Sequence, residues 1–358
     1  MSRVSGPTIA DVARAAEVST ATVSHALNGT GRVAETTRRR VRAVATALGY
    51  GAPGTAPGTG PRSRTLGLAV TTFAGSPWNF VAVSYFARWL TAATAAAHAR
   101  GYALTTLPAD RGAEALWHTL AVDGMLLLDS PEGDPVLRAL RARGIPVVFD
   151  GRPAVPHPQD VWVDNDHAAT TREVLDHLAA AGARRIALHG GFGREHYTRA
   201  VAEAYGAWCA ERGRPVLAVR FDPEDAAGHA LDGVLAGHGE SGRPESGRTE
   251  PADAADAVYS LYDPGGRQVL AAAARHGLAV PDRLLVVCAS EDPAYASTEV
   301  PVTTVTLQPE LIAETAVAAL VARIERPAAG GPGRHTVPAG LLPRASSHRP
   351  GPPPGTSR

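Results

Sequence analysis

Between residues 65 and 307 the chain sets down ten short apolar runs, bounded by turn-forming residues and interleaved with alanine-rich amphipathic stretches. The runs are "TLGLAV" (65–70), "YALTTL" (102–107), "GMLLLD" (124–129), "IPVVFD" (145–150), "VWVD" (161–164), "RIALHG" (185–190), "VLAVRF" (216–221), "AVYSLYD" (257–263), "LLVVCAS" (284–290) and "TTVTL" (303–307). Stretches such as 86–99 and 168–180 lie between them and carry helical periodicity. Strands this apolar are buried on both faces, so the alternation predicts parallel sheets covered by helices. Ten strands exceed what one mononucleotide-type half uses. The expectation is therefore an α/β core of two Rossmann-like subdomains with a cleft between them.

The first fifty residues follow a different period and predict a small all-α unit. Thr8 is a candidate N-cap for a first helix whose Ile9, Val12, Ala13 and Ala16 form one apolar stripe. A break at 17–19 precedes a second helix, which begins near Thr20 and stops at Asn28-Gly29. A third helix runs from about Glu35 to Leu48, with Val41, Val44, Ala45 and Leu48 repeating the stripe and Gly49 as its stop. The second helix is unusual in its polarity. Val23, Ala26 and Leu27 give it an apolar back, whereas Ala21, His25 and Asn28 project from the front, with Ser24 flanking and Thr20 at the N-terminal end. Helix, short turn and a second helix with a bare N-terminus form a helix-turn-helix, which fits a DNA major groove about 12 Å wide.

Charge supports that reading. Residues 1–64 hold nine arginines against Asp11, Glu17 and Glu35, a local net of +6 in a chain whose overall formal charge is zero. On this surface Thr20, Ala21 and His25 face base edges. Thr8, Ser19, Thr22, Ser24 and Asn28 offer short donors for phosphate oxygens at helix N-termini. The competing reading is a solvated three-helix unit whose hydroxyls only cap helices.

The remainder of the sequence narrows the function classes. No basic start with an apolar run suited to a signal peptide is present, nor a run of about 20 apolar residues, so a cytoplasmic protein without membrane contact is expected. Cys209 and Cys288 are distant and lack CxxC spacing, which fits a reducing compartment. "HGGFGRE" (189–195) has two glycines in GxG spacing but no third at the dinucleotide position, so it reads as a tight turn and no cofactor is expected. Thirteen histidines show no HExxH or paired Cys/His spacing, and no GxSxG elbow occurs, so neither a metal site nor an enzyme is predicted. Residues 51–61, all Gly, Ala, Pro or Thr, read as a linker, 236–256 as a mobile surface insertion and 326–358 as a largely disordered tail.

The stretch "TIADVARAAEVSTATVSHALNGTGRVAETTRRRVRAVATALGY" resembles the DNA-binding headpiece of the LacI/GalR family of bacterial transcriptional regulators over its whole length. "VDGMLLL", "RARGIPVVF", "VWVDND", "GARRIALHGG" and "PVTTVTLQP" resemble successive landmarks of that family's periplasmic-binding-protein-like core. The resemblance implies a homodimer on a pseudo-palindromic operator, usually a repressor, with a small molecule such as a sugar in the cleft shifting DNA affinity. The implied domains are residues 1–50 for the helix-turn-helix, 51–64 for the linker and 65–325 for the core. Within the core, subdomain 1 takes about 65–158 plus 291–308, and subdomain 2 about 159–290 plus 309–325. A core that only dimerises, and a solute-binding protein, are the rival readings.

Several positions depart from the family pattern. His25 stands where an arginine is frequent, and Glu17 replaces a glycine common in the turn, so the turn either avoids a left-handed conformation or tolerates strain. Residues 51–61 contain seven Gly or Pro and no leucine where the family usually places a hinge helix, which implies weaker kinking of the operator. In the cleft, Val201 replaces an arginine, Tyr262 an asparagine, and Ser290 a sugar-binding aspartate. By landmark alignment the cleft-facing groups are Thr71, Arg152, Arg199, Tyr262, Asp263 and Ser290, a set that leans toward a less polar or more aromatic ligand.

Overall fold

The computed structural model describes residues 9–28, 33–48, 63–71, 80–107, 121–191, 195–236, 254–326 and 333–349, and the linker 51–61 and most of the 236–256 insertion fall outside them. The N-terminal unit has three helices: α1 (Ile9–Ala15), α2 (Thr20–Asn28) and α3 (Glu35–Leu48). Val12, Ala16, Val23, Ala26 and Val41 are buried at its centre, with Ile9, Val18, Val33 and Val44 packed around them. The residues buried there are all Val or Ala, so the unit is held by few methyl groups.

The turn between α1 and α2 is left-handed at Glu17, with φ 51°. Its backbone bonds, from Val18 N–H to Ala13 O (3.0 Å) and from Glu17 N–H to Arg14 O (3.3 Å), form the paired closure in which glycine is the favoured left-handed residue. Glu17 therefore tolerates the strain that its replacement of glycine raised as one outcome. The tight turn is also what brings α2 across α1.

Each of the ten apolar runs contains a strand. The first sheet has the order β11-β5-β4-β3-β1-β2, with β1 (Thr65–Val70), β2 (Ala103–Thr106), β3 (Gly124–Leu128), β4 (Val147–Asp150), β5 (Val161–Asn165) and β11 (Arg334–Val337) all parallel. The second has the order β12-β10-β9-β8-β6-β7. Its strands β6 (Ile186–Gly190), β7 (Leu217–Arg220), β8 (Ala257–Ser260), β9 (Leu285–Ala289) and β10 (Thr303–Thr306) are parallel, and β12 (Gly340–Leu342) runs antiparallel to β10. All residues of β3, β6 and β9 are buried, as helices on both faces require. Those helices are α4 (Ser84–His98), α5 (Pro135–Ala142), α6 (His167–Ala180), α7 (His196–Glu211), the one-turn α8 (Asp232–Leu235), α9 (Asp263–Arg275) and α10 (Pro309–Glu325). No helix among the described residues is long and apolar enough to cross a membrane.

Four expectations need correction. Strand β10 pairs with β9, so 291–308 belongs to the second half and not the first. Helix α10 belongs to the first half, because Ile312, Ala316, Leu320 and Ile324 pack into the same core as Trp89 and Leu126. Strand β5 likewise stays in the first sheet through its pairing with β4, so the first crossing falls after Asn165 and not at 159. Finally, residues 333–349 are not disordered: β11 and β12 extend one edge of each sheet. The short turn Ala345–Ser347 is buried behind them, where Ser346 donates to Val286 O (2.6 Å) and accepts from Thr303 N–H (2.8 Å). Pro338 and Pro343 flank these strands, which edge positions allow.

The chain thus passes between the halves three times: after β5, after β10 and between β11 and β12. One side chain ties the three together. Asn165 Nδ2 donates to Leu307 O (3.2 Å) and to Val337 O (2.9 Å), one carbonyl from each of the other two crossings.

Two measurements check these assignments. Glu17→Gly removes a left-handed penalty of about 1–2 kcal/mol and adds unfolded-state entropy of about 0.5–1, so α2 amides in the full chain should exchange up to about tenfold more slowly. Asn165→Ala removes the side-chain donor from one buried and one part-buried carbonyl and should lower the unfolding free energy by about 1–3 kcal/mol, read as a lower urea midpoint at unchanged slope.

Candidate functional site

Two surfaces carry chemistry. On the first, Ser19 caps α2: its Oγ accepts from Thr22 N–H at 3.1 Å and lies 2.8 Å from Thr22 Oγ1. With the helix started there, Val23 and Ala26 turn inward and are fully buried, and Thr20, Ala21 and His25 are left exposed together on the outside. Thr22 and Ser24 are half-buried beside them. Asn28 closes the helix, with its side chain outside the described residues, and Thr8 lies outside them altogether. Ser19 thus serves as the cap and Thr22 as its partner. Their position at an open helix N-terminus is also where a phosphate oxygen is stabilised by the backbone amides. Arg39, exposed, and Arg38, half-buried, each lie 3.8 Å from the exposed Glu35, pairs that are weak and screened by salt.

The second surface is a cleft of about 470 Å³ between the two halves, at the C-terminal ends of the strands. This is the position at which open α/β sheets receive ligands. Tyr262, Asp263 and Ser290 line it, and the Ser290 hydroxyl donates to the Asp263 carboxylate. They are held there because Gly265 lets α9 approach β8 closely, where any Cβ would collide with Ser260 Oγ. The other three expected groups have different partners. Thr71 is buried and donates to Leu128 O (2.9 Å), the Arg152 guanidinium lies over the Trp162 ring, and Arg199 reaches Ala154 O across the halves (3.1 Å). Val201 is buried in the core of the second half.

The landmark alignment missed two groups of residues that line the cleft. Tyr85, Phe86, Tyr197 and Phe221 join Tyr262 in an aromatic wall, with Phe221 and Tyr262 4.6 Å apart between ring centroids. From the first half, Asp129, Asp150 and Asp164 enter the cleft at the ends of successive strands. The sequence held a signal for these last three, since the runs "LLLD", "VVFD" and "VWVD" each end on the aspartate.

The electrostatics of the cleft are one-sided. Asp150 is buried and accepts the hydrogen bond of the Tyr85 hydroxyl, which lies 3.0 and 2.8 Å from its two carboxylate oxygens; burial first, and then the charge of Asp129, raise its carboxyl well above the usual range. Burial and Asp129 also push Glu195, at the start of α7, up to about 7. Burial works in the same direction on Asp164. Its hydrogen bonds from His167 Nε2 (2.7 Å) and from the Arg152 and Asn165 amides nevertheless hold it below the ordinary range. Glu291 is compensated by Arg88 Nη1 at 2.6 Å, although burial leaves its carboxyl raised.

Other motifs resolve as structure. Gly191 is a left-handed turn glycine, with φ 75°, and Gly193 lies outside the described residues. Both cysteines are buried and unpaired. Among the described residues no group of three His, Cys, Asp or Glu is arranged to hold a metal.

Comparison with known proteins follows this geometry. Residues 8–52 match the family described as bacterial regulatory proteins, lacI family, and residues 175–347 match a periplasmic binding protein-like domain. The HTH-type transcriptional regulator CelR of Thermobifida fusca is 30% identical over 336 residues, spanning 90% of this chain and 94% of the relative. A solved complex of a transcriptional regulator CelR with cellobiose superposes with a TM-score of 0.67 at 26% identity, over 95% of this chain and 99% of that one. A lac repressor dimer bound to operator and an anti-inducer shares the fold, with a TM-score of 0.65 at 20% identity, over 96% of this chain and all of that one. From the turn-linked helices to the buried turn after the last strand, this chain belongs to the LacI family of bacterial transcriptional regulators.

Proposed function

We propose that this regulator represses transcription as a cytoplasmic homodimer on a pseudo-palindromic operator, and that a small molecule in the cleft sets its affinity for that operator. It works by binding, without catalysis. The observation that carries the reading is the pairing, in one chain, of an exposed Thr20-Ala21-His25 face with a cleft whose halves meet at three crossings tied by one side chain. A helix face of small polar groups reads base edges, whereas a cleft between two jointed halves changes shape when filled. Linkage then requires that a ligand favouring one arrangement of the halves alters DNA affinity, and such couplings are typically about 5–150-fold. The CelR relative solved with cellobiose supports a saccharide-sized occupant of the cleft.

In this reading Thr20, Ala21 and His25 contact bases, whereas Thr8, Ser19, Thr22, Ser24 and Asn28 position the unit on phosphates. Selection of bound fragments from genomic DNA at two salt concentrations tests it. Enrichment of an inverted repeat, with affinity that falls steeply with salt, is expected. A monomer that holds every duplex with equal weak affinity overturns the reading, and an operator affinity unmoved by a metabolite library overturns its ligand half.

His25 gives a sharper prediction. An imidazole makes one base contact at a time, and an arginine fork grips guanine twice, a contact worth about 1–3 kcal/mol of discrimination. His25→Arg should move the selected base at that step toward guanine, as read by sequencing the fragments each protein retains.

A further inference from the structure

The start of α4, an element of the first half, docks on the second half at two points. Its Ser84 amide stabilises the carboxylate of Asp263, which also accepts the Ser290 hydroxyl. One turn further on, Arg88 reaches Glu291, which follows β9. A helix N-terminus carries partial positive charge, so carboxylates are well placed against it. Both acids are walls of the cleft, as are Tyr85 and Phe86 from the same turn of α4.

Arg88 is held from both halves at once. Its Nε and Nη2 grip the Glu310 carboxylate of α10 in its own half (2.6 and 3.1 Å). Its Nη1 donates to Glu291 Oε2 of the other half (2.6 Å) and lies 3.4 Å from the Glu291 carbonyl oxygen. A planar guanidinium serves two acids on two edges in this way, whereas an ammonium is a single point of charge. The two pairs differ in what breaking them costs. The Glu291 side chain is 5% exposed, and those of Arg88 and Glu310 are each 43% exposed. Solvent screens the pair with Glu310, but separating Arg88 from Glu291 leaves a buried carboxylate without its cation. The other Glu291 oxygen accepts the Thr306 hydroxyl (2.8 Å) and the Leu307 amide (2.7 Å), and the Leu307 carbonyl is held by Asn165. Through this one carboxylate the guanidinium is joined to the crossings themselves.

We propose that Arg88 is a clasp between the halves: its pair with Glu291 holds them in the arrangement described above, and the strength of that pair sets operator affinity. This rests on the ligand-regulated reading and names a device through which the cleft acts. A ligand bound against Glu291 shares its carboxylate with Arg88 and so shifts the balance between arrangements. Glu310 keeps the guanidinium on the first half while the contact across the cleft is made or broken.

Pulsed electron paramagnetic resonance on the full-length protein tests the clasp without any ligand. Arg138→Cys in α5 and Ala202→Cys in α7 put one exposed spin label on each half, and the native Cys209 and Cys288 are buried. Labelled chains diluted into unlabelled protein report distances within one protomer. Arg88→Met should move the mean distance by at least about 3 Å, and in a Glu291→Gln background that effect should fall to about half or less. An unchanged distance with a lower urea midpoint makes Arg88 a staple of α4 on α10 and overturns the proposal. An effect that persists in full beside Glu291→Gln overturns it as well. Should Arg88→Met not fold, Glu291→Gln alone carries the test, a shifted distance supporting the clasp and an unchanged one overturning it. On the operator recovered from genomic fragments, Arg88→Met should change affinity at least about fivefold. A shifted distance with unchanged affinity overturns the link to DNA. Where no operator is recovered the regulator reading fails, and the distances still decide the clasp.

Discussion

The structure turns on one carboxamide. Three crossings between the halves leave three stretches of backbone outside any sheet ladder, and their carbonyls need donors. Asn165 supplies two of them from a single Nδ2, while its own backbone ends β5 in register with Val337. The crossings are thereby gathered into one node. Most of what the cleft does follows from that geometry. Because both sheets present their C-terminal strand ends to the node, residues that end strands become the walls, and any occupant touches both halves at once.

Where the same geometry was legible in the sequence, the determinants were local. The ten strands from β1 to β10 announced themselves as apolar runs, and α1 to α3 through stripes at helical spacing, because burial on two faces and on one stripe leave different periods. The exposed face of α2 could be read for the same reason. The assignment of elements to halves could not. Whether β10 pairs with β9, or α10 packs on α4, depends on partners distant in the chain, and nothing in "TTVTL" or in the α10 sequence names them. The tail misled because proline and glycine lower intrinsic order, yet an edge strand needs only one neighbour and buried hydroxyls such as Ser346 to hold it.

The cleft was partly legible. Tyr262, Asp263 and Ser290 were placed by landmarks that lie on strands or directly after them, where register fixes position. Arg152 and Arg199 are long side chains on a loop and a helix face, and each found a nearer partner, the Trp162 ring and the Ala154 carbonyl. Aromatic residues such as Tyr85 and Tyr197 sit on helices among many other apolar positions, so their spacing alone could not separate a core residue from a wall of the cleft.

The path from cleft to DNA has a physical carrier in α10. At its N-terminal end Glu310 holds Arg88 (2.6 Å), which also pairs with Glu291, a wall of the cleft that accepts the Leu307 amide at the crossing (2.7 Å). At its C-terminal end Glu325 lies 3.8 Å from Arg64, just where the chain leaves the linker and enters the core. That entry is fastened by Asp123, which accepts from the Ser63 and Arg64 amides (2.8 and 2.9 Å). A helix of 17 residues is rigid over about 25 Å. Glu291, Arg88 and Glu310 thus tie a wall of the cleft to one end of the helix whose other end lies beside the chain's entry into the core. The Arg64 anchor, positioned by the first half as a whole, is where that half meets the chain leading to the DNA-binding unit.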